Sequence, residues 1–240
     1  MRCRLCQRDG TIRNSHIIPE FFYGPMYDEK HRFFTVSSNP VKKDLTFQKG
    51  MREYLLCDVC EGSFGKNEKY FSELFFGGVS AEYADDGRHI HIKGIDYPKT
   101  KLMFMSILWR MSVSSLPFFD SVDLGPHEEK FRTMLLAENP GSAESYGVMA
   151  VAPYFEGKHL GHFITKPDIA RITANRVYRC VMGGVLFLFY VPGRKIPPAI
   201  LPFMPSPAGT WRVRKEKIED IKFLFHYTLE LGKGIHAREG

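Results

Sequence analysis

The sequence predicts an α+β fold, and three features of the chain carry that prediction. Two Cys-x-x-Cys pairs bracket the first part of the chain: Cys3 with Cys6, and Cys57 with Cys60. The segment 99–115 is apolar on nearly all sides, which indicates a buried central helix. The segment 177–191 is rich in β-branched and aromatic residues, which favours strands. We therefore expect a small N-terminal module, residues 1–78, packed on a larger mixed domain, residues 79–240.

Composition narrows the class of protein. The chain has 240 residues, of which 44% are hydrophobic, enough to bury a sizeable core. Its net charge of +6 and isoelectric point near 9.0 favour a polyanionic partner. Four of the five cysteines stand in close pairs, which is typical of a metal site in a reducing compartment. The sequence shows no signal-peptide pattern, and its longest apolar run, 181–191, is too short to span a bilayer, so we expect a cytoplasmic protein without membrane contact.

The first part of the chain should contain short strands and one long helix. A strand is expected over 11–18, with weaker strands over 33–36 and 45–48. The segment 58–75 predicts a helix, because its aromatic and leucine residues recur at helical spacing. This helix begins within the second cysteine pair and ends at Gly77-Gly78.

A hairpin and two helices should open the second part. Asp85-Asp86-Gly87 is a turn signal, and residues 88–92 alternate as strand residues do. Pro98 opens the apolar helix 99–115, and a second helix is expected over 126–137, with proline at its start and acidic residues in its first turn.

The remaining third of the sequence has strand character. Three strands are expected, over 146–153, 163–165 and 177–191. The last is long enough to form a hairpin bent at Gly183-Gly184. A proline-rich loop, 192–207, leads to the segment 218–231, whose pattern fits either a helix or a long strand.

The two cysteine pairs predict a structural zinc site made of Cys3, Cys6, Cys57 and Cys60. Four thiolates satisfy a tetrahedral zinc ion and leave no coordination position open for water. The alternative is that the pairs form labile disulfides. Zinc would explain how the N-terminal module folds, but it would not explain what the module does.

His16 lies between the cysteine pairs, in a short segment that predicts a strand. Three stretches resemble the HNH endonucleases, whose ββα-metal module is often braced by cysteine pairs: Cys3-x-x-Cys6, Ser15-His16-Ile17-Ile18-Pro19 and Leu56-Cys57-Asp58-Val59-Cys60-Glu61. In that family the histidine of an Asp-His-Ile-x-Pro segment is the general base, and a metal ligand comes from the helix after the last cysteine pair. Phosphodiester hydrolysis needs such a base, with a pKa near neutrality, and a divalent ion that stabilises developing charge.

The resemblance implies roles for three residues of the module. His16 would be the general base, and the helix would hold Mg²⁺ or Mn²⁺. Two positions differ from the family pattern, since Ser15 stands where the family has Asp, and Glu61 stands where it has His or Asn. Glu61 is then the expected metal ligand, because carboxylate oxygens suit hard cations. Glu68, two turns further along the same helix face, is a second candidate ligand, although it fits an exposed helix charge equally well.

Basic residues form three groups that would suit a nucleic-acid backbone: Lys42-Lys43; Lys66 with Lys69; and Arg212, Arg214 and Lys215 beside Trp211. The last group also fits a solvated edge strand. His89 and His91 should point to one face of their strand, but two histidines alone make an incomplete metal site. In the apolar helix, Arg110 is expected either to snorkel to solvent or to be buried against a carboxylate.

The resemblance to the HNH endonucleases implies a metal-dependent endonuclease acting on DNA, with RNA not excluded. The second domain would then provide substrate shape, regulation or a surface for a protein partner. By analogy with small nucleases that carry an accessory domain, the protein would be an effector of bacterial antiviral defence or a toxin. The alternative is a non-catalytic zinc-binding scaffold that binds nucleic acid or another protein.

Overall fold

The computed structural model of the protein has an α+β fold, as predicted. It describes residues 1–36, 44–193 and 195–239, and for residues 234–239 it describes the backbone alone. Four helices occur in this part of the chain: α1 (Asp58–Phe75), α2 (Tyr97–Val113), α3 (His127–Leu136) and α4 (Lys222–Glu239). Its strands are β1 (Ile12–His16), β2 (Phe33–Thr35), β3 (Leu45–Phe47), β4 (Arg52–Cys57), β5 (Glu82–Asp85), β6 (His89–Lys93), β7 (Val148–Phe155), β8 (Lys158–His159), β9 (Asp168–Ile172), β10 (Asn175–Met182), β11 (Val185–Val191) and β12 (Thr210–Lys217).

An eight-stranded sheet forms the centre of the molecule. Its strand order is β5-β6-β12-β7-β11-β10-β9, and the two-residue β8 pairs with β7. Neighbouring strands are antiparallel except β12 and β7, which are parallel. Because successive side chains point to opposite faces of a strand, Ala150 and Phe187 join one buried cluster while Val151 and Leu186 join another. The middle of the sheet is therefore covered on both faces.

Helix α2 lies against the first face and is buried on nearly all sides, as the sequence predicts. The Phe104 ring lies 4.8 Å from the ring of Phe187 in the sheet and 4.9 Å from the ring of Phe71 in α1, measured between centroids. The Asp96 side chain caps the helix by accepting a hydrogen bond of 3.0 Å from the backbone N–H of Lys99. Helix α2 thus joins the N-terminal part of the chain to the sheet.

The C-terminal part of the chain covers the second face. Ile218, Leu224 and Met204 are buried in the second cluster, and Ile221 packs against it. A spacing of three residues puts Ile218, Ile221 and Leu224 on one side of a helical path, so the segment 218–231 forms a 3₁₀ turn followed by α4 and not a strand. No helix in the described ranges is both long and apolar enough to cross a bilayer.

The N-terminal part is built on β1, β4 and α1, and the β2–β3 pair lies between β1 and β4 in the chain. β1 pairs with β4 in antiparallel fashion, with a bulge between Arg13 and Asn14, and α1 follows β4 directly because Cys57 is its N-cap residue. The bounds of α1 are those that the sequence predicts. β4 was not predicted, because its apolar residues Leu55 and Leu56 are adjacent and do not alternate. One buried cluster extends from Cys3 through α1 and α2 to the sheet, so hydrophobic contact is continuous across residue 78.

Two strand predictions are wrong. The segment 163–165 is irregular: the backbone N–H of Thr165 donates to Val181 of β10 at 3.1 Å, but the regular ladder with β10 is formed by β9. The stretch with Arg212 and Lys215 is not an edge strand, since β12 lies between β6 and β7. Its Trp211 and Val213 are buried and hold it in the interior of the sheet. β5 was also missed, because all four of its residues are exposed.

β8 and β9 were not predicted, and several other elements agree with their predicted positions. β10 and β11 form the expected hairpin, and its turn needs glycine because Gly183 and Gly184 have φ values of 61° and 81°. β2 and β3 pair with each other. Helix α3 falls within the predicted segment 126–137.

Candidate functional site

Four cysteine side chains converge at one end of the β1–β4 ladder. Cys3 and Cys6 lie in a tight N-terminal turn, Cys57 ends β4 opposite Ile12, and Cys60 lies in the first turn of α1. All four are free thiols whose sulfur atoms lie within 4.8 Å of one another, and the sulfurs of Cys6 and Cys57 are 3.8 Å apart. This cluster can hold a metal ion.

Backbone groups favour a thiolate at one position of the cluster. Burial opposes ionisation of Cys3, but backbone N–H groups, chiefly those of Cys57 and Cys6, outweigh it and lower the pKa of Cys3 to about 7. The Cys57 amide donates to the Cys3 sulfur at 3.4 Å. Burial raises the pKa of Cys60. Without a cation, the four sulfurs would therefore not all ionise together, and a bound cation would supply the missing positive charge.

His16 lies at the opposite end of the same ladder, at the end of β1 and across from Arg52. Its side chain is 18% exposed, and its Nε2 lies 2.6 Å from Oε2 of Glu20, which follows Pro19 in a short 3₁₀ turn. The Tyr27 hydroxyl donates to the other Glu20 oxygen at 2.5 Å. A guanidinium nitrogen of Arg52 lies 3.8 Å from Glu20 Oε2. We call His16, Glu20, Tyr27 and Arg52 the histidine cluster.

Three atoms of the histidine cluster are buried yet lack a hydrogen-bond partner among the described residues: His16 Nε2, Glu20 Oε2 and Arg52 Nε. The first two nevertheless form a close histidine–carboxylate pair, 2.6 Å apart. Buried polar atoms in proteins are nearly always bonded, and orphaned ones need an explanation. A base, a carboxylate and a guanidinium with unused bonding capacity form an environment that a polar ligand would complete.

The surroundings of His16 keep its imidazole neutral at pH 7. Burial and the nearby positive charge of Arg52 lower the pKa of His16 below its ordinary value of 6.5. Glu20 and Glu68 act in the opposite direction but do not outweigh them. A neutral imidazole in a partly exposed position can accept a proton.

Glu61, the expected metal ligand, is held beside the strand that carries His16. The hydroxyl of Ser15 donates to Glu61 Oε2 at 2.5 Å, and Ser15 is fully buried. The serine in place of the aspartate expected by resemblance thus orients the glutamate on α1. The Glu61 carboxylate therefore lies at Ser15, the residue that precedes His16 in the sequence.

Glu68 is paired with a buried arginine. Its Oε1 accepts a hydrogen bond of 2.6 Å from Arg110 of α2, whose side chain is 1% exposed. Arg110 also donates to the backbone oxygen of His16 at 2.6 Å. The expectation that Arg110 is buried against a carboxylate is therefore confirmed. Through these hydrogen bonds Arg110 of α2 connects α1 with the end of β1.

The basic residues proposed to contact nucleic acid have different surroundings. Lys66 and Lys69 are exposed on α1, and Lys69 lies 3.8 Å from Glu73. On β12, the Arg214 guanidinium pairs with Glu216, Lys215 pairs with Asp85 at 2.7 Å, and the Arg212 guanidinium lies over the Phe203 ring. Lys42 and Lys43 lie outside the described residues.

Sequence reasoning missed Glu20, Tyr27 and Arg52. They belong to a 3₁₀ turn, the segment after it and an unpredicted strand, none of which has a recognisable period. The sequence did hold one indication of the contact between His16 and Glu20: they are four residues apart, and the Pro19 between them favours a turn. Comparison with protein-family models, curated proteins and solved structures finds no match for this chain.

Proposed function

We propose that the protein is a metal-dependent phosphodiester hydrolase, an endonuclease similar to the HNH enzymes, in which His16 is the general base. The observation that carries the proposal is the order β1, β4, α1, in which a neutral histidine ends the first strand and Glu61 of the following helix is bonded to the adjacent Ser15. The net charge of +6 supports a polyanionic substrate, and DNA is the substrate we favour over RNA.

Zinc is the ion we propose for the cysteine cluster. Zn–S bonds of about 2.3 Å in a tetrahedron put neighbouring sulfurs about 3.8 Å apart. The Cys6–Cys57 sulfur distance is 3.8 Å. Four thiolates leave no open position, so this zinc would stabilise the fold and take no part in the reaction. Its requirement for free thiols favours a reducing compartment such as the cytoplasm.

His16 would take the proton of the attacking water. Its Nε2 faces Glu20, which leaves Nδ1 as the nitrogen available to a reactant. Glu20 is fixed by the Tyr27 hydroxyl, and it would stabilise the imidazolium that forms when His16 accepts the proton. Arg52, on the strand opposite His16, would attract a phosphate oxygen.

A divalent ion would be held by Glu61. The Ser15 hydroxyl bonds to Oε2 of Glu61, and the ion would bind the other carboxylate oxygen. Such an ion supplies stabilisation of the charge that develops on the phosphate and the leaving oxygen. Mg²⁺ and Mn²⁺ have the required preference for oxygen ligands. Glu68 is the weaker candidate, because Arg110 already neutralises its charge.

A non-catalytic zinc scaffold is the second candidate function. The observation in its favour is that both helix carboxylates are engaged, Glu61 by Ser15 and Glu68 by Arg110. In this case the exposed Lys66 and Lys69 would contribute to a surface that binds nucleic acid, and a protein partner is the remaining alternative.

The deciding experiment is a cleavage assay on supercoiled plasmid, linear DNA and single-stranded RNA with Mg²⁺, Mn²⁺ or excess EDTA. We expect the wild type and a His162→Ala control to cleave, and His16→Ala and EDTA-treated samples to be inactive. Absence of cleavage with retained binding in a gel-shift assay would favour the scaffold. Cleavage that survives His16→Ala would remove His16 as the base.

A further inference from the structure

A second cluster of metal-ligating atoms lies on the β5–β6 hairpin, at the edge of the large sheet and apart from the N-terminal cysteines. Oδ2 of Asp86 lies 2.8 Å from Nε2 of His91 and 3.3 Å from Nδ1 of His89. All three atoms lie within 4.8 Å of one another. The sequence pointed to the two histidines but not to Asp86, which supplies the third ligand of a site that two histidines alone leave incomplete.

The hairpin holds the three ligand atoms in place. The backbone N–H groups of Arg88 and His89 donate to Oδ1 of Asp86, at 2.8 and 2.7 Å, so its Oδ2 is directed towards the two rings. His89 and His91 are two residues apart on β6 and therefore share a face. The His89 ring packs against Phe203, with 5.5 Å between centroids. Little conformational freedom would be lost when an ion binds.

Two positively charged side chains near Asp86 are paired with other carboxylates. Lys215 pairs with Asp85, and Arg214, across from His89, pairs with Glu216. Oδ2 of Asp86 is within 3.3 Å of a ring nitrogen of each histidine. Two imidazole nitrogens thus converge on one anionic oxygen, an arrangement that a cation bridging all three atoms would stabilise.

We propose that Asp86, His89 and His91 form a site for a divalent transition-metal ion. Two imidazoles and one carboxylate select metals such as Zn²⁺, Ni²⁺ or Cu²⁺ over Mg²⁺ and Ca²⁺. The Asp86 side chain is 48% exposed, so the ion would have solvent on one side. Three protein ligands leave at least one position for water or for a donor group of another molecule. The site is independent of the cysteine cluster and of the proposed hydrolase activity.

The test uses the full-length protein loaded with one zinc per chain, titrated with Ni²⁺ by calorimetry while zinc content is followed by elemental analysis. We expect the wild type and His162→Ala to bind one Ni²⁺ per chain with zinc retained. The double variant His89→Gln/His91→Gln should lose this binding by more than about 100-fold in affinity, and Asp86→Asn should weaken it by about 10-fold or more.

Equal Ni²⁺ affinity in the wild type and the double variant would overturn the proposal, as would absence of Ni²⁺ binding by the wild type. If the double variant does not fold, Asp86→Asn decides, because its side-chain oxygen can still accept the two backbone hydrogen bonds of the turn. Unchanged Ni²⁺ affinity in Asp86→Asn would then contradict the proposed ligand set.

Discussion

The two ends of the β1–β4 ladder carry different kinds of chemistry. At the Cys57 end, four identical donors face one another and can all be satisfied by a single ion. At the His16 end, a base, a carboxylate, a phenol and a guanidinium face one another, and three of their buried atoms have no hydrogen-bond partner in the part of the chain that the structure describes. We call the Cys57 end the closed end, because one ion can satisfy all four of its donors, and the His16 end the open end.

The difference shows how a small module can tolerate unsatisfied polar groups. Such groups destabilise a fold and persist only where the surrounding structure over-determines their position. Here the cysteine end fixes the start of α1, and Arg110 fixes the end of β1 through the backbone oxygen of His16. We therefore expect the cysteine cluster and the helix contacts to contribute most to stability, and the histidine cluster to carry the proposed reaction.

Breaking the closed end should have the largest effect. Cys57→Ser removes one of four ligands, and structural zinc sites contribute about 10–16 kcal/mol of apparent binding free energy, which is also folding free energy. We expect zinc content to fall well below one per chain and solubility and thermal stability to decrease sharply. Cys180→Ala is the matched control, because Cys180 is buried and distant from the cluster in sequence. Unchanged stability of Cys57→Ser with zinc still at one per chain would disprove the zinc assignment.

Breaking the open end should change activity and not stability. His16→Ala is expected to lower the cleavage rate by about 10²–10⁴-fold, the usual contribution of a general base. Its free energy of unfolding should change by about 1 kcal/mol, the usual net contribution of one hydrogen bond, because the substitution removes the contact between Nε2 and Glu20. Rate measurements and urea denaturation of the same samples check both statements. A large loss of stability would make His16 a structural residue instead.

The link between the two ends can be tested at Glu68. Glu68→Ala leaves Arg110 as a buried, unpaired charge, and we expect a loss of about 3 kcal/mol, at the low end for buried pairs because Glu68 is partly exposed. Glu73→Ala, which removes the exposed partner of Lys69 on the same helix, should cost about 0.5 kcal/mol or less. Urea denaturation compares the two variants. Equal losses would mean that the Arg110 pair contributes no more than a surface pair.

The smallest expected effect is a pair of opposite shifts in the pH dependence of cleavage. Because the pKa of His16 is lowered, kcat/KM should decline only below pH 6.5, and stability should fall over the same range because protonation there favours the unfolded chain. Arg52→Gln removes a charge that lowers this pKa, so the decline should begin at higher pH. Glu20→Gln removes a charge that raises it, so the decline should begin at lower pH. Shifts in the same direction would contradict the electrostatic account.

The sequence predicted the closed end better than the open one. Cysteine spacing and the aromatic period of 58–75 are local patterns, and both the cluster and the bounds of α1 follow from them. The histidine cluster depends on pairing between β1 and β4, which no local period reveals, so Glu20 and Arg52 were missed. The central position of β12 likewise depends on burial of Trp211 and Val213 between β6 and β7, because its charged residues alone suit an edge strand equally well.

The most direct test of two separate sites on one ladder is the binding of Mn²⁺, measured by electron paramagnetic resonance in a His89→Gln/His91→Gln background that removes the hairpin site. We predict one zinc per chain in every sample, one bound Mn²⁺ in the parent, and loss of the bound Mn²⁺ in Glu61→Gln. Absence of Mn²⁺ binding by the parent, or binding that Glu61→Gln leaves unchanged, would contradict the divalent-ion site proposed beside His16.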